Sequence, residues 1–214
     1  MTLENVKELE IPVTDVMLKG LLGPPYEAKG MVVFAHGSGS SRLSSRNNYV
    51  AEVIRERGLG TLLFDLLTEQ EDLVYENRFN IPLLTDRLVD VTHWLADKPE
   101  YKTLKMGYFG ASTGAAAALK AAARLGNKIG AVVSRGGRPD LATPTELAQV
   151  QSPTLLIVGG FDDIVIGMNK DAYADIACVK QLKIIPGATH LFEEPGALEQ
   201  AAMLASDWFV QYLR

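Results

Sequence analysis

Six short apolar runs, separated by segments of helical periodicity, constrain the fold of this chain more than any other feature of its sequence. Most of these runs lack alternating polar residues, which indicates strands that are covered on both faces. Strands that alternate with helices are typical of βαβ units around a parallel sheet. The sequence therefore predicts an α/β fold with a mostly parallel sheet and helices on both faces, with strands at 31–35, 61–64, 106–109, 129–133, 155–158 and 182–185.

The segments before and between these runs complete the predicted architecture. Residues 8–13 and 16–22 alternate apolar and polar side chains and predict an edge hairpin that turns near Thr14 and Asp15. Apolar stripes at helical spacing occupy the gaps between the strands, and the last predicted helix spans 198–213.

Two connections bear on the shape of any site. The acidic and aperiodic stretch 66–82 predicts a long loop, a feature that is uncommon unless it is functional. The stretch 134–153 is too short for a large cap domain, which predicts a fairly open site. No repeat or linker divides the chain, so we expect a single domain over residues 1–214.

Charge and cysteine content exclude several classes of partner. The net charge is −5 and no cluster of Lys or Arg stands out, whereas nucleic-acid binding needs a basic face. No apolar run approaches the roughly 20 residues that cross a bilayer, and the N-terminus lacks the pattern of a secretory signal. Cys178 is the single cysteine, so an internal disulfide is excluded. We expect a cytoplasmic protein with no nucleic-acid or membrane partner, either a monomer or a homodimer.

The segment 110–114 reads G-A-S-T-G and lies directly between a predicted strand and a predicted helix. A nucleophile on a sharp strand-to-helix turn crowds the positions two before and two after it, where only small residues fit. Gly110 and Gly114 meet that requirement around Ser112. An alternative interpretation is a turn in which the serine only caps the helix. The context favours Ser112 as a catalytic nucleophile.

A serine hydroxyl needs a base to remove its proton, and the chain has three histidines. His190 follows the last strand, in a loop that emerges at the carboxyl edge of the sheet, beside the 110–114 turn. His93 lies within a helical pattern. His36 ends a strand, where packing and bracing of the next loop is the simpler role. His190 is therefore the predicted base.

The base needs an acid that orients it. Residues 155–165 offer a strand, a glycine turn and then Asp162 and Asp163. The G-x-D-x-x-V spacing favours Asp162, with Asp163 as the alternative. The chain order Ser112, Asp162, His190 is the order expected of an α/β-hydrolase.

Two N–H groups are needed to stabilise a tetrahedral oxyanion. The N–H of Thr113, next to the nucleophile, is one predicted donor. The second is predicted in the loop after the first parallel strand, where the N–H of Ser38 is favoured; Gly39 is the near alternative and is also a candidate for substrate binding. A dinucleotide site is the rival interpretation of this glycine-rich loop, but Arg42 stands where the third glycine of the fingerprint belongs.

Other side chains at the same edge are candidates for substrate binding. Arg135 and Arg138 follow a strand and offer a planar donor fork that suits a carboxylate, although a structural ion pair is an equally good interpretation. Phe161 and Leu191 are candidates for lining a pocket, although such residues are more often core. No metal site is predicted.

From Phe34 through His190 the chain resembles the dienelactone hydrolase-like branch of the α/β-hydrolases. The segments 64–68 and 133–140 are also similar to small cytosolic members of that group. The resemblance implies the α/β-hydrolase fold with an eight-stranded, mostly parallel sheet and an activity on carboxylic esters or lactones. Dienelactone hydrolase itself carries a cysteine where this chain has Ser112, so an ester of another kind is the expected substrate.

The sequence as a whole predicts a serine hydrolase that cleaves a small-molecule ester through an acyl-enzyme on Ser112, with no metal or organic cofactor. Two alternatives remain open. One is a peptidase or thioesterase with the same triad, and the other is a non-catalytic binding protein that keeps this fold.

Overall fold

A computed structural model describes residues 6–14, 16–25 and 30–214. Its sheet contains eight strands, in agreement with the sequence prediction. They are β1 (Lys7–Val13), β2 (Val16–Gly23), β3 (Gly30–Ala35), β4 (Gly60–Phe64), β5 (Lys105–Ala111), β6 (Ile129–Arg135), β7 (Thr154–Gly159) and β8 (Lys180–Ile185).

The spatial order of the strands is β1, β2, β4, β3, β5, β6, β7, β8. The strands from β4 to β8 pair in parallel, whereas β2 pairs antiparallel with β4 and with β1. The predicted edge hairpin is therefore present. Thr14 lies at its turn with φ of 48°, and Asp15, also predicted there, falls outside the described residues.

Seven α-helices lie in the described part of the chain. They are α1 (Ser45–Glu56), α2 (Glu69–Asp72), α3 (Ile81–Ala96), α4 (Thr113–Leu125), α5 (Pro144–Ala148), α6 (Asp163–Asp175) and α7 (Ala197–Leu213). None of them has the length and apolar character that a bilayer-spanning segment requires.

The helices cover both faces of the sheet and create two apolar cores. Helices α1 and α7 pack on one face with side chains such as Phe34, Phe109 and Phe209. Helices α3, α4, α5 and α6 contribute to the cluster on the other face. The alanines of α4 are almost all buried, because small side chains let this helix lie close to the strands.

The connection 66–82 is more ordered than the sequence analysis expected. The short helix α2 lies within it, and Tyr75–Phe79 forms a 3₁₀ turn. Thr68 and Glu71 form a reciprocal capping box, in which each side chain accepts from the backbone N–H of the other residue. The prediction of a plain loop was wrong, because the T-x-x-E pattern of Thr68 and Glu71 favours the start of a helix. Between β6 and β7 there is only a 3₁₀ turn and α5, so no large cap domain is evident over 134–153.

Candidate active site

Ser112 lies between β5 and α4 with φ of 51° and ψ of −123°, which is a strained conformation for a residue with a side chain. Its side chain makes no capping hydrogen bond to the helix. The interpretation of Ser112 as a simple helix cap therefore fails. The backbone holds the turn, because the Ser112 carbonyl accepts from Arg138 N–H at 3.0 Å and from Ala115 N–H at 3.1 Å.

The glycines that flank this turn are required by close backbone approach. A Cβ on Gly110 would lie 2.4 Å from the Cα of Ala115. A Cβ on Gly114 would lie 2.2 Å from the carbonyl oxygen of Ala35. The two glycines of the G-x-S-x-G pattern are therefore needed for packing, since each faces backbone that a side chain would displace.

His190 lies between β8 and α7, and its Nδ1 is 2.7 Å from Oδ2 of Asp162. Asp162 immediately precedes α6, and its side chain is 15% exposed. Asp163, the alternative acid, is the first residue of α6 and is exposed. The structure therefore pairs the histidine with Asp162, the residue that the spacing favoured. Because an ionised carboxylate only accepts, Nδ1 carries the proton and Nε2 is left as the basic nitrogen.

The histidine loop rests directly on the ends of β6 and β7. Phe161 N–H donates to the carbonyl of Ala188 at 2.9 Å. A Cβ on Gly159 would lie 2.5 Å from the carbonyl oxygens of Ala188 and Thr189, so this loop needs a glycine beneath it.

Ser112 and His190 lie on either side of the segment that ends β6. Ser112 N–H donates to the carbonyl of Arg135 at 3.3 Å. A Cβ on Gly136 would lie 3.5 Å from Cε1 of His190. Among the described residues the Ser112 hydroxyl makes no hydrogen bond, to His190 or to any other group. Catalytic hydrogen bonds are often long or poorly aligned before the Michaelis complex forms, so the lack of a Ser112–His190 bond does not argue against the pairing.

The loop after β3 packs against the nucleophile. A Cβ on Gly37 would lie 3.0 Å from Cβ of Ser112, so glycine permits this approach. Ser40 N–H donates to the carbonyl of Gly37 at 3.1 Å and Gly39 has φ of 67°, which is the pattern of a type II turn with Ser38 and Gly39 at its centre. Both candidate donors therefore sit at the tip of one turn beside Ser112.

The two predicted oxyanion donors differ in their present partners. The N–H of Ser38 donates to Oγ1 of Thr113 at 2.8 Å, so it is already engaged. The N–H of Gly39 has no partner in the described part of the chain. Thr113 is the first residue of α4, where a backbone N–H has no partner within the helix.

His36 braces this loop, which is the role that its position at the end of a strand favoured. Its Nε2 accepts from the N–H of Leu66 at 3.0 Å, and Nδ1–H donates to the carbonyl of Gly37 at 2.9 Å. Burial lowers the pKa of the imidazole, which keeps the ring neutral in the tautomer that these two bonds need. His93, the remaining histidine, is exposed on α3.

A small pocket opens beside the same loop, and the sequence did not predict it. It is shallow and open to solvent, and Gly37, Ser38 and Gly39 form one wall. The opposite wall comes from the connection 66–82, where Arg78 forms a two-pronged ion pair with Asp72. The capping box of α2 was the signal that could have placed this wall. The other lining residues are His36, Leu66, Leu67 and Leu84.

Several large apolar side chains are exposed on the loops that surround Ser112. Phe161 is 72% exposed and Leu191 43% exposed, beside Asp162 and His190. On the other side of the site, the connection 66–82 presents Tyr75 and Phe79, whose ring centres are 5.2 Å apart. Phe161 and Leu191 are therefore not core residues, and they lie where a pocket lining was predicted.

The two arginines near the site have different surroundings. Arg138 forms a two-pronged ion pair with Asp140, with both N···O distances at 2.8 Å, and this partner raises its pKa. The side chain of Arg138 is therefore engaged in a structural ion pair, which was the alternative to substrate binding. Arg135 is 7% exposed, and its Nη2 donates to Oδ1 of Asn47 at 3.2 Å. Burial, with a smaller effect of the positive charge of Arg46, lowers the pKa of Arg135 to about 10, so it is charged at neutral pH.

In the described part of the chain, neither the cysteine nor any cluster of metal-ligating side chains adds another chemistry to this site. The Cys178 thiol is half-buried against the carbonyl of Ser152, and burial raises its pKa. The described residues contain no group of three or more His, Cys, Asp or Glu side chains placed to hold a metal ion.

A sheet with this strand order, with the serine after β5, the acid after β7 and the histidine after β8, has the α/β-hydrolase fold. Residues 19–213 match the Dienelactone hydrolase family. The chain belongs to the dienelactone hydrolase family.

Solved structures agree with this assignment. A dienelactone hydrolase from Anabaena variabilis is 56% identical, with a TM-score of 0.95, and the match covers 98% of this chain and 99% of that one. Est1E from Butyrivibrio proteoclasticus has a TM-score of 0.81 at 16% identity, covering 95% of this chain and 98% of that one. At that identity the likeness concerns the fold alone.

Two Mycobacterium tuberculosis proteins, from strains CDC 1551 and H37Rv, are 56% identical to this chain over 207 residues. Both are provisionally named phosphoribosyl transferase. The match covers 97% of this chain but 46% of each relative, so this chain spans about half the length of the curated relatives it matches. Their name therefore describes proteins of which more than half has no counterpart here.

Proposed function

We propose that this protein is a serine hydrolase that cleaves carboxylic esters through an acyl-enzyme on Ser112. The observation that carries the proposal is the pairing of a strained serine, whose hydroxyl caps nothing, with a histidine fixed by Asp162 at 2.7 Å on the same edge of the sheet. Membership of the dienelactone hydrolase family supports hydrolysis as the class of reaction.

The first half of the proposed reaction forms the acyl-enzyme. Nε2 of His190 takes the hydroxyl proton of Ser112 as Oγ bonds to the ester carbonyl carbon. The carbonyl electron pair moves onto oxygen, where the N–H groups of Thr113 and of Ser38 or Gly39 stabilise it. Asp162 stabilises the imidazolium. When the intermediate collapses, the bond to the alcohol breaks and His190 gives the proton to the leaving oxygen.

The second half repeats the chemistry with water. His190 removes a proton from water, whose oxygen attacks the acyl carbon, and the same N–H groups stabilise the second oxyanion. Collapse releases the acid, and the proton returns from His190 to Oγ of Ser112. Every step uses groups of the chain and one water molecule.

The surroundings of the site favour an ester with an apolar group. Phe161 and Leu191 are exposed on one side of Ser112, and the small pocket beside Ser38 has leucines among its lining residues. Burial of apolar substrate surface against such side chains contributes about 25 cal/mol per Å². Esters with an acyl chain or an aromatic alcohol group of modest size are therefore the proposed substrates.

The name of the M. tuberculosis relatives suggests a different reaction, transfer of a phosphoribosyl group. This chain corresponds to 46% of those proteins, and the serine, histidine and aspartate described above suit acyl transfer to water. We therefore assign esterase chemistry to the part of the relatives that this chain matches.

The experiment that tests the proposal is a turnover panel with the wild-type chain and Ser112→Ala. The panel holds esters of increasing acyl length, a lactone, a thioester and a peptide amide, with a fluorophosphonate probe to label the nucleophile. We expect ester turnover and labelling by the wild type, and neither by the folded alanine variant. Preference for the thioester or the amide would favour the other triad enzymes, and a wild type that neither reacts nor labels would favour a non-catalytic role.

A further inference from the structure

Arg135, the last residue of β6, is a buried cation with an unusual set of contacts. Its only polar side-chain partner among the described residues is Asn47, through Nη2. Its Nη1 is buried and has no partner there. A buried charge without an opposite charge is destabilising, because desolvation is not offset by an ion pair. Stability alone therefore does not explain an arginine at this position, since methionine would fill a similar volume without a charge.

The guanidinium of Arg135 lies near two aromatic rings from different parts of the site. Its Cζ is 5.7 Å from the ring centre of Phe109 and 5.8 Å from that of Phe192. Both distances fall within the range of a cation–π interaction. Phe109 belongs to β5, the strand that leads to Ser112, and Phe192 follows His190 in the histidine loop. One side chain thus connects the element that carries the nucleophile with the loop that carries the base.

The histidine loop needs such a support because its backbone is strained. Phe192 is 1% exposed and has φ of 57°, a conformation that bulky residues rarely adopt. It costs on the order of 1–3 kcal/mol and persists only where the surrounding contacts hold it. Phe192 is held by the burial of its ring, by the 3.2 Å hydrogen bond from its N–H to the Thr189 carbonyl, and by the guanidinium of Arg135.

We propose that Arg135 is a positioning residue, whose guanidinium, held by Asn47 and lying within cation–π distance of Phe109 and Phe192, sets the position of His190 relative to Ser112. This role rests on the proposed function. The fork of the guanidinium matters as well as its charge, because Nη2 reaches Asn47 while Cζ lies over both rings, which the single ammonium of a lysine cannot reproduce. A displaced imidazole would accept the Ser112 proton less well, although substrate binding would be unchanged.

The test compares Arg135→Met and Arg135→Lys with the wild type, on a neutral ester. Active sites are first counted by fluorophosphonate titration, so that rates refer to functional sites. We expect kcat per titrated site to fall by about 10- to 100-fold in both variants, because small misplacements of catalytic groups have effects of this size. KM should stay within about twofold, and the Tm of Arg135→Met should stay close to that of the wild type, because the loss of the two ring contacts is offset by removal of a buried charge that has no ion pair.

Arg55→Met is the matched control. Arg55 is a partly buried arginine whose Nη1 donates to Oγ1 of Thr61 at 2.9 Å, at the start of β4 and so at the opposite edge of the sheet from Ser112. Its guanidinium likewise forms no ion pair among the described residues. Its kcat per titrated site should equal that of the wild type.

Three results would overturn the role of Arg135. A rate per site in Arg135→Met within about twofold of wild type would show that His190 needs no such support. A lower Tm and fewer titratable sites with an unchanged rate per site would show a purely structural role. Full rescue by lysine would show that the charge alone, and not the fork, is what matters. A wild type without ester turnover would refute the proposed function itself. An active wild type with unaffected Arg135 variants would refute only the role of Arg135, so the two failures are distinguishable.

Discussion

The backbone N–H of Ser38 donates a 2.8 Å hydrogen bond to Oγ1 of Thr113, although the two residues are 75 positions apart in sequence. The N–H that the sequence favours as the second oxyanion donor is thus engaged by a side chain. An oxyanion at this site would carry a full negative charge and would be a stronger acceptor than a hydroxyl. We therefore expect Ser38 N–H to be shared with, or transferred to, the substrate oxygen during the reaction.

Ser38→Pro tests this donor. Proline suits the second position of the type II turn that Ser40 N–H closes onto Gly37, so the turn should survive while the N–H is lost. We expect kcat to fall by about 10²- to 10³-fold, the effect of losing one oxyanion donor. Ser38→Ala keeps the N–H and should retain the wild-type rate. Equal rates for the proline variant and the wild type would instead assign the second donor to Gly39.

Asp162→Asn should lower kcat by about 10³- to 10⁴-fold. The amide can donate to Nδ1, which would place the imidazole proton on Nε2 and remove the base. Asp163→Asn, one residue further along, is the control and should remain within about twofold of wild type. Steady-state kinetics on one ester compare the two variants. A large loss in Asp163→Asn with little loss in Asp162→Asn would mean that the acid has been misassigned.

His36 should make the folded state sensitive to acid. Burial lowers its pKa in the folded protein below the ordinary 6.5, so the unfolded chain binds more protons and stability rises with pH. The free energy of unfolding should therefore decrease as pH falls below about 6.5, by up to about 1.4 kcal/mol per pH unit from this group.

Denaturant titrations between pH 7 and 5 measure this effect. His36→Gln can still accept from Leu66 N–H but does not titrate, so its stability should depend less on pH than that of the wild type. The exposed His93, replaced by Gln, should leave the wild-type dependence intact. Parallel curves for His36→Gln and the wild type would show that the imidazole of His36 does not carry the effect.

Gly114→Ala should prevent the strand-to-helix turn from forming as it does in the native protein. The added Cβ would lie 2.2 Å from the Ala35 carbonyl, which is backbone of the central strand β3 and cannot move away cheaply. We expect a loss of stability of about 3 kcal/mol or more. Gly167→Ala, in an exposed part of α6 where a Cβ meets nothing within 4 Å, should raise stability by about 0.5–1 kcal/mol. Thermal unfolding of both variants gives the comparison, and a tolerant Gly114 would contradict the packing described here.

The parts of the fold that the sequence predicts are those in which local pattern and long-range packing agree. The apolar runs of β3 to β7 became parallel strands because strands covered on both faces have no polar side, whereas β8 is the half-exposed edge strand. The turn at Ser112 was predictable because the G-x-S-x-G spacing is a local pattern, although the contact that requires Gly114 comes from the distant strand β3. Asp162 could be ranked above Asp163 by spacing, and their different positions before and within α6 explain why only one contacts His190.

What the sequence did not reveal depends on contacts between distant residues. The bond from Ser38 to Thr113 has no local signal, and neither do the contacts of buried Arg135 with Phe109 and Phe192, because each requires the sheet to be assembled first. The order within 66–82 did have a local signal, the capping box at Thr68. Residues of this segment form one wall of the small pocket.

Acylation of Ser112 is tested most directly by a pre-steady-state reaction with excess activated ester, quenched and followed by mass spectrometry of the intact chain and its peptides. An acyl-enzyme on Ser112 predicts a rapid release of one alcohol per chain and a mass increase of one acyl group on the peptide that contains Ser112. Alcohol release without any adduct, or an adduct on another residue that persists in Ser112→Ala, would contradict it.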